Sequence, residues 1–268
     1  MLIHFNAILL GLIEGVTEFL PISSTGHLLI AEQWLGARSD LFNVVIQAGA
    51  ILAVTLVYWR RLWTLATGLG QRENLDYAAK LLVAFLITGV LGFIAVRLGF
   101  KLPETVVPVA WALILGGFWM LGAESLAARL KPGAKITWTV AIVVGLAQMA
   151  AGIFPGLSRS GATIFAAMLA GTRDRSAATE FSFLVGIPTM FAASGYELWH
   201  HARHAAIGAP PEHWTALGIA FVMSTLTAFI VVKWLLGYIK SHRYTLFAWY
   251  RIALGLVLFG LLRLGYVH

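Results

Sequence analysis

Long apolar runs alternate along the chain with short polar connections, and the runs are of two kinds. Six are uninterrupted and close to the ~20 residues an α-helix needs to cross a bilayer: 41–59, 79–98, 107–127, 177–199, 214–236 and 245–265. Two more, 5–35 and 138–171, are broken near their middles. The first break is Pro21-Ile22-Ser23-Ser24-Thr25-Gly26; the second is Pro155-Gly156-Leu157-Ser158-Arg159-Ser160-Gly161. Neither piece beside a break spans comfortably alone. Broken helices at membrane depth are tolerated only inside protein or beside a wet cavity. Both regions are therefore predicted to be re-entrant hairpins.

The two breaks belong to an internal repeat. Gly11-Leu12-Ile13-Glu14 aligns with Gly145-Leu146-Ala147-Gln148, which sets Pro21 on Pro155. Further on, Ala84-Phe85 matches Ala220-Phe221, and Phe93-Ile94 matches Phe229-Ile230. Ala110-Trp111 matches Ala248-Trp249, and Leu115-Gly116 matches Leu254-Gly255. Repeat 1 covers about 1–130 and repeat 2 about 136–268 of a single membrane domain. Each half reads as a hairpin plus three spans. Three crossings are odd, so the second half is inverted, and the two hairpins enter from opposite faces to meet near the midplane. The predicted fold is all-α and polytopic.

Composition agrees with lipid as solvent. The chain is 59% hydrophobic and only 12% charged, with a mean hydropathy of +0.83, against roughly 25% charged residues in a soluble domain. The absence of cysteine excludes disulfides and thiolate metal sites. The N-terminal stretch Met1-Leu2-Ile3-His4 lacks a basic n-region and a small-residue cleavage site, so the first apolar run is expected to be mature protein. A net charge of +7 raises nucleic acid as a partner, but the basic residues lie in short loops between apolar runs. That is membrane topology, and no nucleic-acid partner is expected. Arg60, Arg61, Arg72, Lys80, Arg129, Lys131, Lys135, Arg173, Arg175, Lys240 and Arg243 collect on one side; Arg38, Arg97, Lys101, Arg203 and Arg263 collect on the other. The positive-inside rule makes the first side cytoplasmic and opens the first hairpin outward.

Ionisable groups inside a membrane are costly and mark function by default. Glu14 and Glu18 lie one helical turn apart on one face. Two such acids need a cation, a proton or an arginine between them. A divalent metal bridging to phosphate oxygens fits, because Mg²⁺ takes one or two carboxylates plus substrate phosphates. Next come Ser23-Ser24-Thr25-Gly26-His27, where a restarting helix points its N-terminus at the break and favours an anion. Ser24 or His27 is a candidate nucleophile. In the second break Arg159 sits between Ser158 and Ser160, flanked by Gly156 and Gly161. A guanidinium, two hydroxyls and a half-helix N-terminus form a phosphate receptor, with Thr163 capping or lining it. Gln148 stands where the first half has Glu14, so one half supplies the acids and the other the arginine. Arg251, inside the last span, reads equally as a structural group or a ligand for phosphate.

These segments resemble the bacterial undecaprenyl-diphosphate phosphatases of the bacitracin-resistance type. Glu14-Gly15-Val16-Thr17-Glu18-Phe19-Leu20-Pro21-Ile22-Ser23-Ser24-Thr25-Gly26-His27-Leu28 resembles the first signature of that family. Pro155-Gly156-Leu157-Ser158-Arg159-Ser160-Gly161-Ala162-Thr163 resembles the second, and Phe247-Ala248-Trp249-Tyr250-Arg251-Ile252 a shorter third. The resemblance covers nearly the whole chain. It implies hydrolysis of undecaprenyl diphosphate to the monophosphate, recycling of the carrier lipid for cell-wall synthesis, and bacitracin resistance on overexpression. It implies a divalent cation, Mg²⁺ or Ca²⁺, held by Glu14 and Glu18. The implied catalytic set is Glu14, Glu18, Ser24, His27 and Arg159, with Ser23, Thr25, Gly26, Ser158, Ser160, Gly161, Thr163 and Arg251 binding substrate. The expected setting is the bacterial inner membrane, with the site facing the periplasm, membrane lipid around it and a homodimer as a further partner. Ser24 is the preferred nucleophile with His27 assisting, beside a metal-activated water. The rival function is a lipid flippase or transporter, because inverted repeats with broken helices are also a transporter signature.

Overall fold

The structure is a computed structural model that describes residues 2–99, 105–129, 133, 135–204 and 212–266. The described residues form eleven helices and no strand. The first broken region is α1 (Leu2–Thr17) and α2 (Ser24–Leu35); then come α3 (Asp40–Val57), α4 (Trp59–Thr67), α5 (Arg72–Arg97) and α6 (Val106–Arg129). The second broken region is α7 (Trp138–Ile153) and α8 (Arg159–Leu169), followed by α9 (Arg175–His204), α10 (Trp214–Tyr238) and α11 (Thr245–Arg263). Both breaks fall where Pro, Gly and Ser interrupt the apolar pattern. The protein is a multi-pass membrane protein.

Two expectations need correction. Five helices, α3, α5, α6, α10 and α11, are long and apolar enough to span a bilayer; six runs were expected. The sixth, 177–199, lies within α9, which is 30 residues long. Glu180, Ser182, Pro188, Thr189 and Ser194 lower its hydropathy, and part of this polar face lines the site described below. Arg60 and Arg61, read as loop residues, sit on α4, a short amphipathic helix split from α3 at Tyr58. Lys101 and Lys131 lie outside the described residues.

The distribution of side chains is that of a protein in lipid. Leu82, Leu86, Val90 and Phe93 of α5 and Val222, Leu226 and Ile230 of α10 point outward. Small and hydroxyl residues sit at the closest helix contacts, where they let backbones approach. Thr88 of α5 donates to Gly145 O of α7 (2.9 Å), and Ser224 of α10 donates to Ile46 O of α3 (2.8 Å). The closest helix contacts occur in exchanged pairs. Gly11 of α1 packs on Ala220 and Met223 of α10, while Gly145 of α7 packs on Ala84 and Ile87 of α5. Gly117 of α6 packs on Ala248 and Ile252 of α11, while Gly255 of α11 packs on Ala110 and Ile114 of α6. In these contacts Gly255 answers to Gly117, and Gly116 faces the Arg251 guanidinium.

The α6–α11 contact gives a direct test. A Cβ on Gly255 would lie 2.6 Å from Ile114 Cγ1 and 2.9 Å from Ala110 O, whereas one on Gly260 meets nothing within 4 Å. Gly255→Ala should lower stability by about 2 kcal/mol through overpacking, and Gly260→Ala should hold or raise it. Thermal unfolding in detergent checks both.

Candidate active site

The two breaks meet in the interior and are built alike. Ser23 and Ser158, with φ of 74° and 68°, are the non-glycine residues with positive φ among those described. Each is the N-cap of the helix that restarts, and each side chain accepts from a glycine N–H three residues on, Gly26 N and Gly161 N, both at 3.2 Å. L-residues rarely adopt this backbone, and where they do the strain is held by surrounding structure and clusters at functional sites. Here the cap bond offsets part of it. A side chain on Gly26 would press on Val109 Cγ1 and on the capping hydroxyl itself. The strained turn aims the first residues of α2 and α8, Ser24 and Arg159, at one another.

Glu18 joins them. One carboxylate oxygen accepts from Ser24 Oγ and the other from Arg159 Nη2. Glu18 is 7% exposed, so this is a buried charge with its partners in place; removing one partner of such a pair typically costs ~3–5 kcal/mol. Ser160 Oγ donates to Leu20 O (3.1 Å) and exchanges a 3.2 Å hydrogen bond with Ser158, tying the second break to the first. Thr163 bonds back to Arg159 O (2.8 Å) within its own helix turn. Thr25 is exposed. Glu18, Arg159, Ser160 and Thr163 line a small cleft whose other wall is α9, through Ser182, Phe183, Gly186 and Met190.

Glu14 is different. It is fully buried one turn before Glu18, whose N–H donates to Glu14 O (2.9 Å), and neither of its carboxylate oxygens has a hydrogen-bond partner. A buried acid without partners calls for a cation or a proton. The donor set suits a hard divalent ion that keeps water and takes the rest of its shell from phosphate oxygens. No group of three or more His, Asp or Glu side chains converges among the described residues, so a protein-only cage is not built here. Glu18 Oε1 and Oε2 are already engaged, which makes Glu14 the freer ligand. Its counterpart Gln148 donates to Thr88 Oγ1 (3.1 Å) and Thr189 Oγ1 (2.9 Å), an uncharged network.

Two assignments change. His27 was expected to assist Ser24, but its ring nitrogens are turned elsewhere: Nδ1 lies 2.7 Å from Ser23 O and Nε2 lies 2.7 Å from Tyr250 Oη. A carbonyl only accepts, so Nδ1 carries a proton, and neutral Nε2 accepts from the tyrosine. The carboxylate in contact with Ser24 is that of Glu18. Arg251, weighed as a phosphate ligand, is 1% exposed and uses all five donors on backbone carbonyls. Nη1 reaches Leu157 O (3.0 Å) and Pro21 O (3.3 Å), Nη2 reaches Ala112 O and Gly156 O (both 2.9 Å), and Nε reaches Leu113 O (3.4 Å). Nothing is left for a ligand. The residue is a strut that binds both breaks to α6.

Sequence reasoning missed Tyr250 and Ser182. Tyr250 stacks on His27 with ring centroids 5.7 Å apart. Ser182 is buried in the cleft wall with an unpartnered hydroxyl. Tyr250 lay inside the third motif, which was a signal; Ser182 had none beyond a polar residue in an apolar run.

Residues 7–257 match the protein family described as bacitracin resistance protein BacA. A protein of Rhizobium etli (strain CIAT 652), called undecaprenyl-diphosphatase, is 66% identical over 264 residues, covering 98% of this chain and 99% of the relative. One of the same name from Rhizobium leguminosarum bv. trifolii is 67% identical over 265 residues, with 98% and 99% covered. Another from Xanthomonas oryzae pv. oryzae is 62% identical over 253 residues, covering 94% and 95%.

The strut predicts a separation of roles. Arg251→Lys should lower unfolding stability by about 3 kcal/mol, because an ammonium cannot reach five carbonyls and leaves buried acceptors unpaired. Thermal unfolding checks it; a wild-type melting temperature would make Arg251 dispensable to the breaks.

Proposed function

The chain belongs to the BacA family of bacitracin-resistance proteins, and from that premise we propose that it hydrolyses undecaprenyl diphosphate to undecaprenyl phosphate and inorganic phosphate. It thereby returns the carrier lipid to cell-wall synthesis. The relatives' name supports the reaction. The observation that carries the mechanism is Glu18, held between a serine hydroxyl and an arginine from opposite halves of the chain.

In the proposed mechanism Glu18 takes the proton of Ser24 as its oxygen attacks the terminal phosphorus. The new Oγ–P bond forms, the P–O–P bridge breaks, and the lipid monophosphate leaves with the bridging oxygen. Arg159 donates to the phosphoryl oxygens with the N–H groups that Glu18 does not take, offsetting charge in the transition state. Glu18 passes the Ser24 proton to the departing lipid phosphate. Water then attacks the phosphoserine phosphorus and gives one proton to Glu18, the Oγ–P bond breaks, and Glu18 returns the proton to Ser24 Oγ as inorganic phosphate leaves. A divalent cation held by Glu14 with Glu18 supplies positive charge to the diphosphate when bound. Ser182 and the N–H groups at the start of α8 orient the anion, while Ser160 holds the second break to Leu20 O. His27, fixed by Ser23 and Tyr250, keeps the first turn of α2 in place.

Two inverted halves, a location in the inner membrane and a site facing the periplasm complete the reading. The matching contacts of Gly11 on α10 and Gly145 on α5, and of Gly117 on α11 and Gly255 on α6, support a repeat, an odd number of crossings in each half supports its inversion, and the excess of basic residues at one end supports the orientation. The same exchanged contacts favour a transporter as the second reading. Phosphate release by purified protein in detergent separates the two, since transport needs two compartments.

Three outcomes follow. Arg159→Lys should cut turnover about a hundredfold, a loss of bidentate phosphoryl contact; near-normal turnover excludes that role. Glu14→Gln should abolish the dependence of rate on Mg²⁺ or Ca²⁺ while the protein stays folded; an unchanged metal titration removes Glu14 from the cation. In spheroplasts of a bacterium expressing the chain, an impermeant thiol reagent should label Ala37→Cys from outside and spare Gln71→Cys. The reverse pattern moves the mouth of the first hairpin to the cytoplasm.

A further inference from the structure

At the end of the bundle opposite the mouth of the first hairpin, a cavity of about 840 Å³ opens between α4, α5, α9, α10 and the segment before α7. It is separate from the cleft at Glu18 and Arg159 and plays no part in the reaction described above. Arg61, Arg72, Lys80, Lys135 and Lys240 line it, against Glu73, Asp76 and Glu180, leaving two net positive charges.

The acids that are paired answer only two of these cations. Glu180 accepts from Arg61 (3.1 Å), and Asp76 accepts from Lys80. Lys80 is 4% exposed, and its ammonium also donates to Ile136 O (2.9 Å); of its three donors one is left over at the cavity wall. Arg72, Lys135 and Lys240 make no ion pair among the described residues. The Tyr58 hydroxyl, also in the wall, makes no hydrogen bond among them either. The helices α5 and α9 begin at this cavity while α3 and α10 end beside it, so the helix ends offset one another and the positive charge of the hollow is that of its side chains. Ile136 and Leu236 give one edge an apolar lining. A cation-rich hollow with unused donors and an apolar edge, at the end of a lipid-embedded bundle, is built for an anion.

We infer that this cavity is a second binding site, for a phosphate monoester dianion. Its cations match the charge and acceptor oxygens of a terminal phosphate, and its volume exceeds that of phosphate alone. A lipid monophosphate headgroup and free inorganic phosphate share this chemistry. The former is also the class of product in the proposed reaction, though the site does not depend on that reading.

The test uses the lack of native cysteine. Ser176, half-buried in the cavity wall, is changed to Cys in the full chain, reconstituted in nanodiscs of neutral phosphatidylcholine. The rate of modification by a small thiol reagent is measured against dihexanoyl phosphatidic acid, inorganic phosphate or dihexanoyl phosphatidylcholine. Labelling needs no turnover, so its result is independent of hydrolysis, which is assayed on the same samples. Protection by the lipid phosphate alone identifies a headgroup site; equal protection by inorganic phosphate identifies a phosphate site. In either case Lys135→Gln and Lys240→Gln should each raise the half-protecting concentration roughly tenfold, as for one charge-assisted hydrogen bond, and leave hydrolysis unchanged. The inference is overturned if neither phosphate protects, if phosphatidylcholine protects equally, or if both glutamine variants keep the half-protecting concentration of the unaltered chain.

Discussion

A helix broken inside a membrane leaves carbonyls with no water to receive them, and the structure meets this with one guanidinium. Arg251 gives all five of its N–H groups to the carbonyls of Pro21, Gly156, Leu157, Ala112 and Leu113. Three of those carbonyls belong to the two breaks and two to α6. An unsatisfied backbone group in hydrocarbon costs several kcal/mol, so the breaks exist at this depth because this side chain receives them. The arginine is solvated by carbonyl dipoles in turn, which is how a charge persists in the interior without an acid beside it. The contacts of Glu18 with Ser24 and Arg159 lie within three residues of a carbonyl that Arg251 holds.

Charge separation between the halves follows from the same arrangement. The first break contributes acids and hydroxyls, the second an arginine and hydroxyls, and Glu18 spans them. Neither half can assemble the cleft alone. Gln148, in the place of Glu14, keeps the second half neutral at that depth and bonds to Thr88 and Thr189 instead. The two halves can therefore share local geometry, Ser23 and Ser158 with nearly the same φ and the same cap bond, while differing in chemistry.

Much of this was legible in the sequence, because lipid imposes a strong pattern. Spans 107–127, 214–236 and 245–265 fall within a few residues of α6, α10 and α11, and the breaks at Pro21 and Pro155 fall between the paired short helices. Hydropathy was blind where function adds polarity. The run 177–199 reads as a plain span, yet α9 carries Ser182, which walls the cleft, and Thr189, which accepts from Gln148. The α4 helix was hidden by its own basic residues, which read as a loop. The acids, Ser24 and Arg159 were legible as intramembrane polar groups. The Tyr250 partner of His27 and the partners of Arg251 were not, because those contacts join positions more than ninety residues apart, and spacing along the chain carries no trace of them.

The central claim is that Ser24, activated by Glu18 and faced by Arg159, accepts the terminal phosphoryl group. Rapid acid quench of purified protein turning over undecaprenyl diphosphate labelled in its terminal phosphate tests it most directly, with mass spectrometry of the digested chain. Transient label is expected on the peptide containing Ser24, with loss of both label and turnover in Ser24→Ala. Full turnover with no labelled protein at any time, and an active Ser24→Ala variant, would contradict it and leave water as the nucleophile.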